Sequence, residues 1–254
     1  MSFKIQYASD LHLEFRENKE FVASNPLEPV GDVLVLCGDI VPLKIMHKHA
    51  DFFDYLSDHF QTTYWVPGNH EYYDFDLFKK EGQLQESIRP NVFLVNNISV
   101  VNENVKLIFS TLWSKISPVN QWQIEQGMND FRKIKYDGLR FSAARYNHLH
   151  EQSLNFIKHE IEQSQQNVIS VFTHHCPTFL NYPEQYKGDV LNQAFATELF
   201  DFIESSQIHS WVYGHHHTNT AEFMIGNTKL LTNQLGYVYY NEHFSFQRNK
   251  VIET

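Results

Sequence analysis

Cysteine is scarce: two occur among 254 residues, Cys37 inside an apolar run and Cys176 in a loop. That excludes a disulfide framework and fits a reducing compartment. Positive charge is also short. Lys and Arg number 20 against 30 Asp and Glu, for a formal charge of −10, and no stretch clusters Lys or Arg. A protein that grips long nucleic acid must neutralise phosphates with a basic surface, so that class is disfavoured. No window approaches the roughly 18 consecutive apolar residues that span a bilayer. The N-terminus lacks the basic and apolar segments of a signal peptide. The expectation is a cytoplasmic protein with no membrane partner, and small phosphorylated molecules stay open as substrates.

What is present is ordinary for a globular α/β chain: 42% hydrophobic and 20% charged residues, with 21 Phe and 13 Tyr. The length suits a single domain over 1–254, and no internal repeat or linker interrupts it. The organising feature is the way apolar runs end. Phe3 to Ala8 leads to Asp10-Leu11-His12, and Val33 to Cys37 leads to Gly38-Asp39. Tyr64-Trp65-Val66 leads through Pro67 to Gly68-Asn69-His70-Glu71. Val168 to Phe172 leads to Thr173-His174-His175, and Trp211-Val212-Tyr213 to Gly214-His215-His216-His217. Ligand sites of open α/β sheets lie at such strand ends.

The coarse reading places strands at 3–8, 32–37, 62–66, 168–173 and 211–213. Helices are expected over 44–60, 74–88, 141–164 and 193–206. Short strands at 93–95, 98–101 and 106–109 suggest a meander, and 223–231 a hairpin turning on Gly226-Asn227. The polar stretch between His12 and Pro29 reads as loop.

Asp10, His12, Asp39, Asn69, His174, His215 and His217 together offer carboxylate, amide and imidazole donors without thiolate. That set suits a catalytic Mn, Fe, Co or Zn site rather than a Cys-rich structural zinc. Asp10 and His12, like His215 and His217, are two apart, which puts both members on one side of an extended segment. Gly38 and Gly214 leave room where the backbone passes close to a metal.

The blocks Asp-x-His, Gly-Asp, Gly-Asn-His-Glu, a His and Gly-His-x-His, in that order, resemble the calcineurin-like metallophosphoesterase superfamily. Thr111-Leu112-Trp113, Asn129-Asp130-Phe131 and Thr173 to Pro177 also resemble a bacterial cytosolic phosphoesterase subgroup. The resemblance implies a four-layer α/β/β/α sandwich, two mixed sheets flanked by helices, with two divalent metals at the strand ends, Mn first among the candidates. Asp10, His12, Asp39 and His217 would hold one, and Asp39, Asn69, His174 and His215 the other. His70 would be the general acid, and in-line attack of a metal-bridging hydroxide would hydrolyse a small phosphomonoester or phosphodiester.

Neighbouring residues divide into candidates and bystanders. His175 and His216 are expected to point away from the ligands, and Cys176 lacks the orienting groups of a thiol nucleophile. Family members carry a second Asp shortly after Gly-Asp that helps orient the histidine. Here Gly38-Asp39 runs into Ile40-Val41-Pro42, so Glu71 or Asp74 is the expected substitute. Tyr72, Tyr73, Trp113, Trp122, Tyr182 and Tyr186 fall in loops near the site, to pack them or to stack a base. Asp10 to Leu13 also resembles the opening of lipid A precursor pyrophosphatases, but those carry Arg at the position of His70. The other function classes are a binding scaffold that no longer catalyses and, against the acidic balance, a nuclease.

Overall fold

The computed structural model describes residues 3–102 and 104–254. The apolar runs build two six-stranded sheets. The first contains β1 (Lys4–Ala8), β2 (Val33–Cys37), β3 (Thr63–Val66), β4 (Leu84–Arg89) and β5 (Val92–Asn96). The second contains β6 (Ile98–Asn102) and β7 (Val105–Ser110). After a small hairpin of β8 (Lys135–Tyr136) and β9 (Leu139–Arg140), it gains β10 (Val168–Thr173), β11 (Ser210–Val212), β12 (Phe223–Ile225) and β13 (Thr228–Leu231). The last strand, β14 (Val251–Glu253), returns to the first sheet. The strand orders are 14-1-2-3-5-4 and 12-13-11-10-7-6. In each sheet the central strands run parallel and both edge strands antiparallel.

Alternation along these strands makes the layers. Ile5, Val35, Cys37 and Val66 of the first sheet meet Leu107, Phe109, Phe172 and Val212 of the second in one buried cluster. Trimming Phe109 to Ala in that interlayer would cost about 3–5 kcal/mol. The opposite face of the first sheet, with Leu34, Leu36, Trp65 and Leu94, packs on α2 (Ala50–His59) and on the 113–149 region. That of the second, with Ile108, Val171 and Trp211, packs on α5 (Ala143–Glu162) and on the helix Phe200–Ser205. Two mixed sheets flanked by helices, as expected, is the architecture. Among the described residues, no helix is long and apolar enough to cross a membrane.

Several local expectations fail for identifiable reasons. Residues 74–88 are not a helix. A short 3-10 turn, Leu77–Lys80, gives way at Gly82 (φ +71°), and Leu84, Glu86 and Ile88 then turn inward on alternate positions of the edge strand β4. Over 193–206 only Phe200–Ser205 is α-helical, because Phe195 and Thr197 hydrogen-bond the backbone of Cys176 and hold the chain extended. The 44–60 helix opens as a 3-10 turn, Leu43–His49, before α2. The 93–109 runs are not one meander, since Asn97 (φ +48°) passes the chain from the first sheet to the second. The polar stretch after His12 holds a helix, Arg16–Ser24, anchored by buried Asn18, whose amide donates to Leu11 O and Gly236 O. The 223–231 hairpin forms as expected.

Candidate metal centre

The parallel strands β1, β2, β3, β10 and β11 all present their C-terminal ends at one edge, and all seven candidate ligands meet there. They do not meet by strand alternation. Asp10, His12, Asp39, His215 and His217 have φ of +56°, +46°, +54°, +83° and +53°. Left-handed turns rather than extended segments therefore aim these side chains. Such non-glycine conformers cost about 1–2 kcal/mol each and collect where a site demands them.

Two clusters share one carboxylate. Asp10, His12, Asp39 and His217 form the first, and Asp39, His174 and His215 the second. In the first, His12 Nε2 and His217 Nε2 lie 2.9 Å apart. Asp10 Oδ1 is 3.4 Å from His217 Nε2, and Asp39 Oδ2 is 3.7 Å from His12 Nε2. In the second, His174 Nε2 lies 3.0 Å from His215 Nδ1, 3.2 Å from Asn69 Oδ1 and 3.4 Å from Asp39 Oδ1.

The far side of each ring fixes its tautomer. His12 Nδ1 faces Glu14 Oε1 at 3.1 Å and His217 Nδ1 faces Glu242 Oε2 at 2.9 Å. His174 Nδ1 faces Cys37 O at 2.9 Å and His215 Nε2 faces Ala194 O at 3.3 Å. These partners only accept, so the outer nitrogens carry hydrogen, and the inner lone pairs confront one another at hydrogen-bond distance. Only a proton or a cation between them relieves that opposition. Backing metal-ligating imidazoles with carboxylates or carbonyls is the usual way such rings are held. The glycines leave the space. A Cβ at Gly68 would fall 2.2 Å from Asp39 Oδ1 and 2.7 Å from His174 Nε2, and one at Gly38 (φ +86°) 2.4 Å from His174 Nδ1. On donor chemistry, hydrogen placement and room, the site fits two divalent cations.

The charges agree. Burial lowers the His217 imidazole, but hydrogen bonds to Asp10 and Glu242 outweigh it and push it up to about 10. Burial likewise opposes charge on His174, yet Asp39 pushes it up to about 9. Their ring partners go the other way: burial holds His215 well below its ordinary value and His12 below its own. Each cluster thus pairs one proton-holding ring with one neutral ring.

The surroundings hold the ligands still. Asp10 accepts from Ser9 Oγ at 2.6 Å and from the His215 amide at 3.1 Å. Asn69 Nδ2 donates to Asp130 Oδ1 at 2.9 Å, which leaves its amide oxygen facing His174, and Tyr73 OH donates to the same Asp130 oxygen. Glu71 is fully buried and does not touch His70. Its carboxylate accepts from the amides of Asp39, Ile40, Val41 and Gly68 and from Trp65 Nε1, clamping the Asp39 turn to the Asn69 turn. Burial and Asp39 push Glu71 up to about 7, against those five donors.

His70 lines the cavity beside both clusters, and its Nδ1 lies 2.8 Å from Glu14 Oε1. The expected orienting acids are not used: Asp74 is 65% exposed and pairs with Lys44 at 3.7 Å, because its left-handed φ of +56° turns it outward. Glu14 takes that place and serves His12 and His70 through one oxygen. Burial works against its charge, yet the two rings bring it down to about 2. Sequence reading missed Glu14, although Asp10-x-His12-x-Glu14 simply continues the spacing of two. It also gave Asp130 no role within Asn129-Asp130-Phe131. Glu242 and Tyr237 carried no local signal.

The bystanders sort cleanly. The His175 ring packs 4.3 Å from that of His215 but its Nδ1 is spent 3.2 Å from Thr111 O, and His216, at the cavity wall, accepts the Thr218 amide on Nδ1 at 3.2 Å. Cys176 is buried and burial raises its thiol well above the ordinary value. Tyr72 and Trp113 are core residues, Trp122 is 76% exposed, and Tyr73, Tyr182 and Tyr186 line a cavity of about 350 Å³ over the clusters.

The chain is similar to several known proteins. Across 95% of the chain and 94% of its relative, the sequence is 30% identical to uncharacterized protein L509 of Acanthamoeba polyphaga mimivirus. The phosphopantetheinyl hydrolase of Mycobacterium tuberculosis superposes with a TM-score of 0.69 at 14% identity, covering 100% of this chain and 96% of that one. A dimetal phosphatase from Danio rerio covers 91% and 87% at 14% identity, with a TM-score of 0.45. The family profile described as calcineurin-like phosphoesterase matches residues 3–219. Spanning most of the chain and taking in all five strand-end blocks, that match makes this protein a member of the calcineurin-like phosphoesterase family.

Proposed function

We propose that the protein is a two-metal phosphoesterase hydrolysing a small phosphomonoester or phosphodiester, with manganese as the first cation to load. The observation that supports this reading most is the pair of opposed imidazole lone pairs sharing Asp39. When bound, divalent cations supply Lewis acidity to the phosphoryl oxygens and lower the pKa of the attacking water.

The chain's own residues do the remainder. Asp10, His12 and His217 on one side and Asn69, His174 and His215 on the other fix where the phosphoryl group sits, with Asp39 between. Glu14 takes the Nδ1 hydrogen of His70, so the ring's other nitrogen is the one it offers to the leaving oxygen. Asp39 and Glu14 outweigh burial and raise His70, which keeps a proton available for that oxygen. The Tyr73 ring lies tilted against the His70 ring, centroids 4.1 Å apart, and limits its rotation. Both rings line the cavity over the clusters.

The test is hydrolysis of bis-p-nitrophenyl phosphate and p-nitrophenyl phosphate by protein stripped with chelator and reloaded with Mn. Turnover should vanish on stripping and return on loading. Equal activity before and after stripping would sink the reading.

A further inference from the structure

The cavity over the clusters has a feature that substrate choice must obey: among the described residues, no Lys or Arg lines it. Lys133 lies close by, but its Nζ sits over the Tyr73 ring, 4.9 Å from the centroid. Beyond the phosphoryl position the wall joins the aromatic and apolar side chains of Tyr182, Tyr186, Phe195 and Met128 to the neutral amides of Asn129 and Asn192. Its charged members are carboxylates, Asp189 and Glu242. Glu242 is committed to His217 Nδ1 and to the Tyr237 amide. Asp189 accepts from the Leu191 amide at 2.9 Å and is exposed.

A substrate carries one phosphoryl group into the clusters, where histidines and cations match it. Any second phosphate on the same molecule must lie against this wall. There it meets two carboxylates and no counter-charge, and leaving an anion without a partner costs free energy. An uncharged aromatic or apolar group finds ring faces instead, worth about 1–3 kcal/mol per stacked base.

Resting on the hydrolase reading above, we infer that the substrate bears a single phosphoryl group joined to an uncharged, largely aromatic or apolar moiety, and that a second phosphate is rejected. Polyphosphates and oligonucleotides fall outside that class. Asp189 is a residue that sets this preference through its charge.

The experiment is competition against p-nitrophenyl phosphate, or its bis ester, with the Mn-loaded full chain. Phenyl phosphate should inhibit with a Ki about tenfold below that of inorganic phosphate, and adenosine 5′-monophosphate about tenfold below adenosine 3′,5′-bisphosphate. Asp189→Asn keeps the cap on the Leu191 amide and removes the charge, so it should tighten the bisphosphate about threefold while moving the monophosphate far less. Equal Ki values for the two nucleotides, or tighter bisphosphate, overturn the charge half of the inference. Phenyl phosphate binding no better than phosphate overturns the aromatic half. Failure of the Mn-loaded enzyme to hydrolyse either reporter instead overturns the hydrolase reading, and this inference with it.

Discussion

In the first cluster the outer nitrogens of His12 and His217 rest on carboxylates, Glu14 and Glu242, whereas in the second those of His174 and His215 rest on the main-chain carbonyls of Cys37 and Ala194. Depth separates His174 from His217 but not from His12, which is equally buried and still rests on Glu14. His174 is fully buried between the sheets' strand ends, where a carbonyl satisfies an N–H without adding charge. His217 lies nearer the cavity, its side chain 12% exposed, and there a carboxylate can be tolerated. A carboxylate behind an imidazole strengthens it as a donor and adds an acidic group that can be mutated. The carbonyls are fixed by β2 and by the 190–194 turn, so that cluster can be disturbed only through its space or its ligands.

The largest expected effect removes the comparison altogether. Asp39 belongs to both clusters, so Asp39→Asn should abolish binding of both cations and lower kcat by at least about 10³-fold. Metal analysis of the purified variant alongside turnover checks it, and one full equivalent of retained metal would contradict the shared role. Next come two substitutions that separate the clusters. Gly68→Ala places a Cβ against Asp39 Oδ1 and His174 Nε2 and should weaken the second cluster first. Glu14→Gln should cost about 10–100-fold in first-cluster affinity or in activity, since it unseats His12 and His70 together. Stepwise Mn titration should show each variant losing a different step; loss of the same step by both would erase the distinction.

How much of this was legible beforehand differs by residue type. The strand ends carrying Asp39, Asn69 and His215 announced themselves because strand, glycine and ligand are contiguous, and Asp10 and His174 because each follows its strand within two residues. Glu14 shares that segment but stands alone between Leu13 and Phe15, with no glycine or strand end beside it. Glu242 arrives from a 3-10 turn (Glu242–Ser245) that follows a segment seated on the end of β1 by Leu235 N–Ser9 O and Gly236 N–Asp10 O, contacts that no local pattern shows. The misread 74–88 segment shows the same limit: Leu77, Leu84 and Ile88 fit a helical stripe, and only pairing with β5 selects the strand. The left-handed ligands were illegible too, since Asp and His, though commoner than most residues at positive φ, still adopt it in a minority of cases that surrounding structure selects.

Proton competition sharpens the contrast with a smaller effect. In the metal-free protein His217, raised to about 10, and His174, raised to about 9, hold protons at neutral pH where a cation must bind. Proton and cation compete for one lone pair, so affinity should rise with pH, up to about tenfold per unit for each cluster. That rise should level off near pH 9 for the second cluster and continue toward 10 for the first. Calorimetry in buffers of different protonation enthalpy should find about one proton released per cation. Heats independent of buffer would show that neither ring is protonated.

The smallest expected effect falls on Asp74, which stands beside His70 in sequence yet pairs with Lys44 on the surface. An exposed pair of that kind contributes about 0–1 kcal/mol. Asp74→Ala should leave turnover within about twofold and shift stability by no more than that pair is worth. The comparison with Glu14→Gln is the informative part, because Asp74 is close to His70 in sequence and Glu14 only in space, and Glu14 alone touches the ring. If orientation of His70 comes from Glu14, kcat falls in Glu14→Gln alone. The limb of its pH profile governed by His70 should shift to lower pH, since the carboxylate that raises the imidazole is gone. An Asp74→Ala enzyme with the same loss and the same shift would mean that His70 leaves Glu14 during turnover and is steered from the other side.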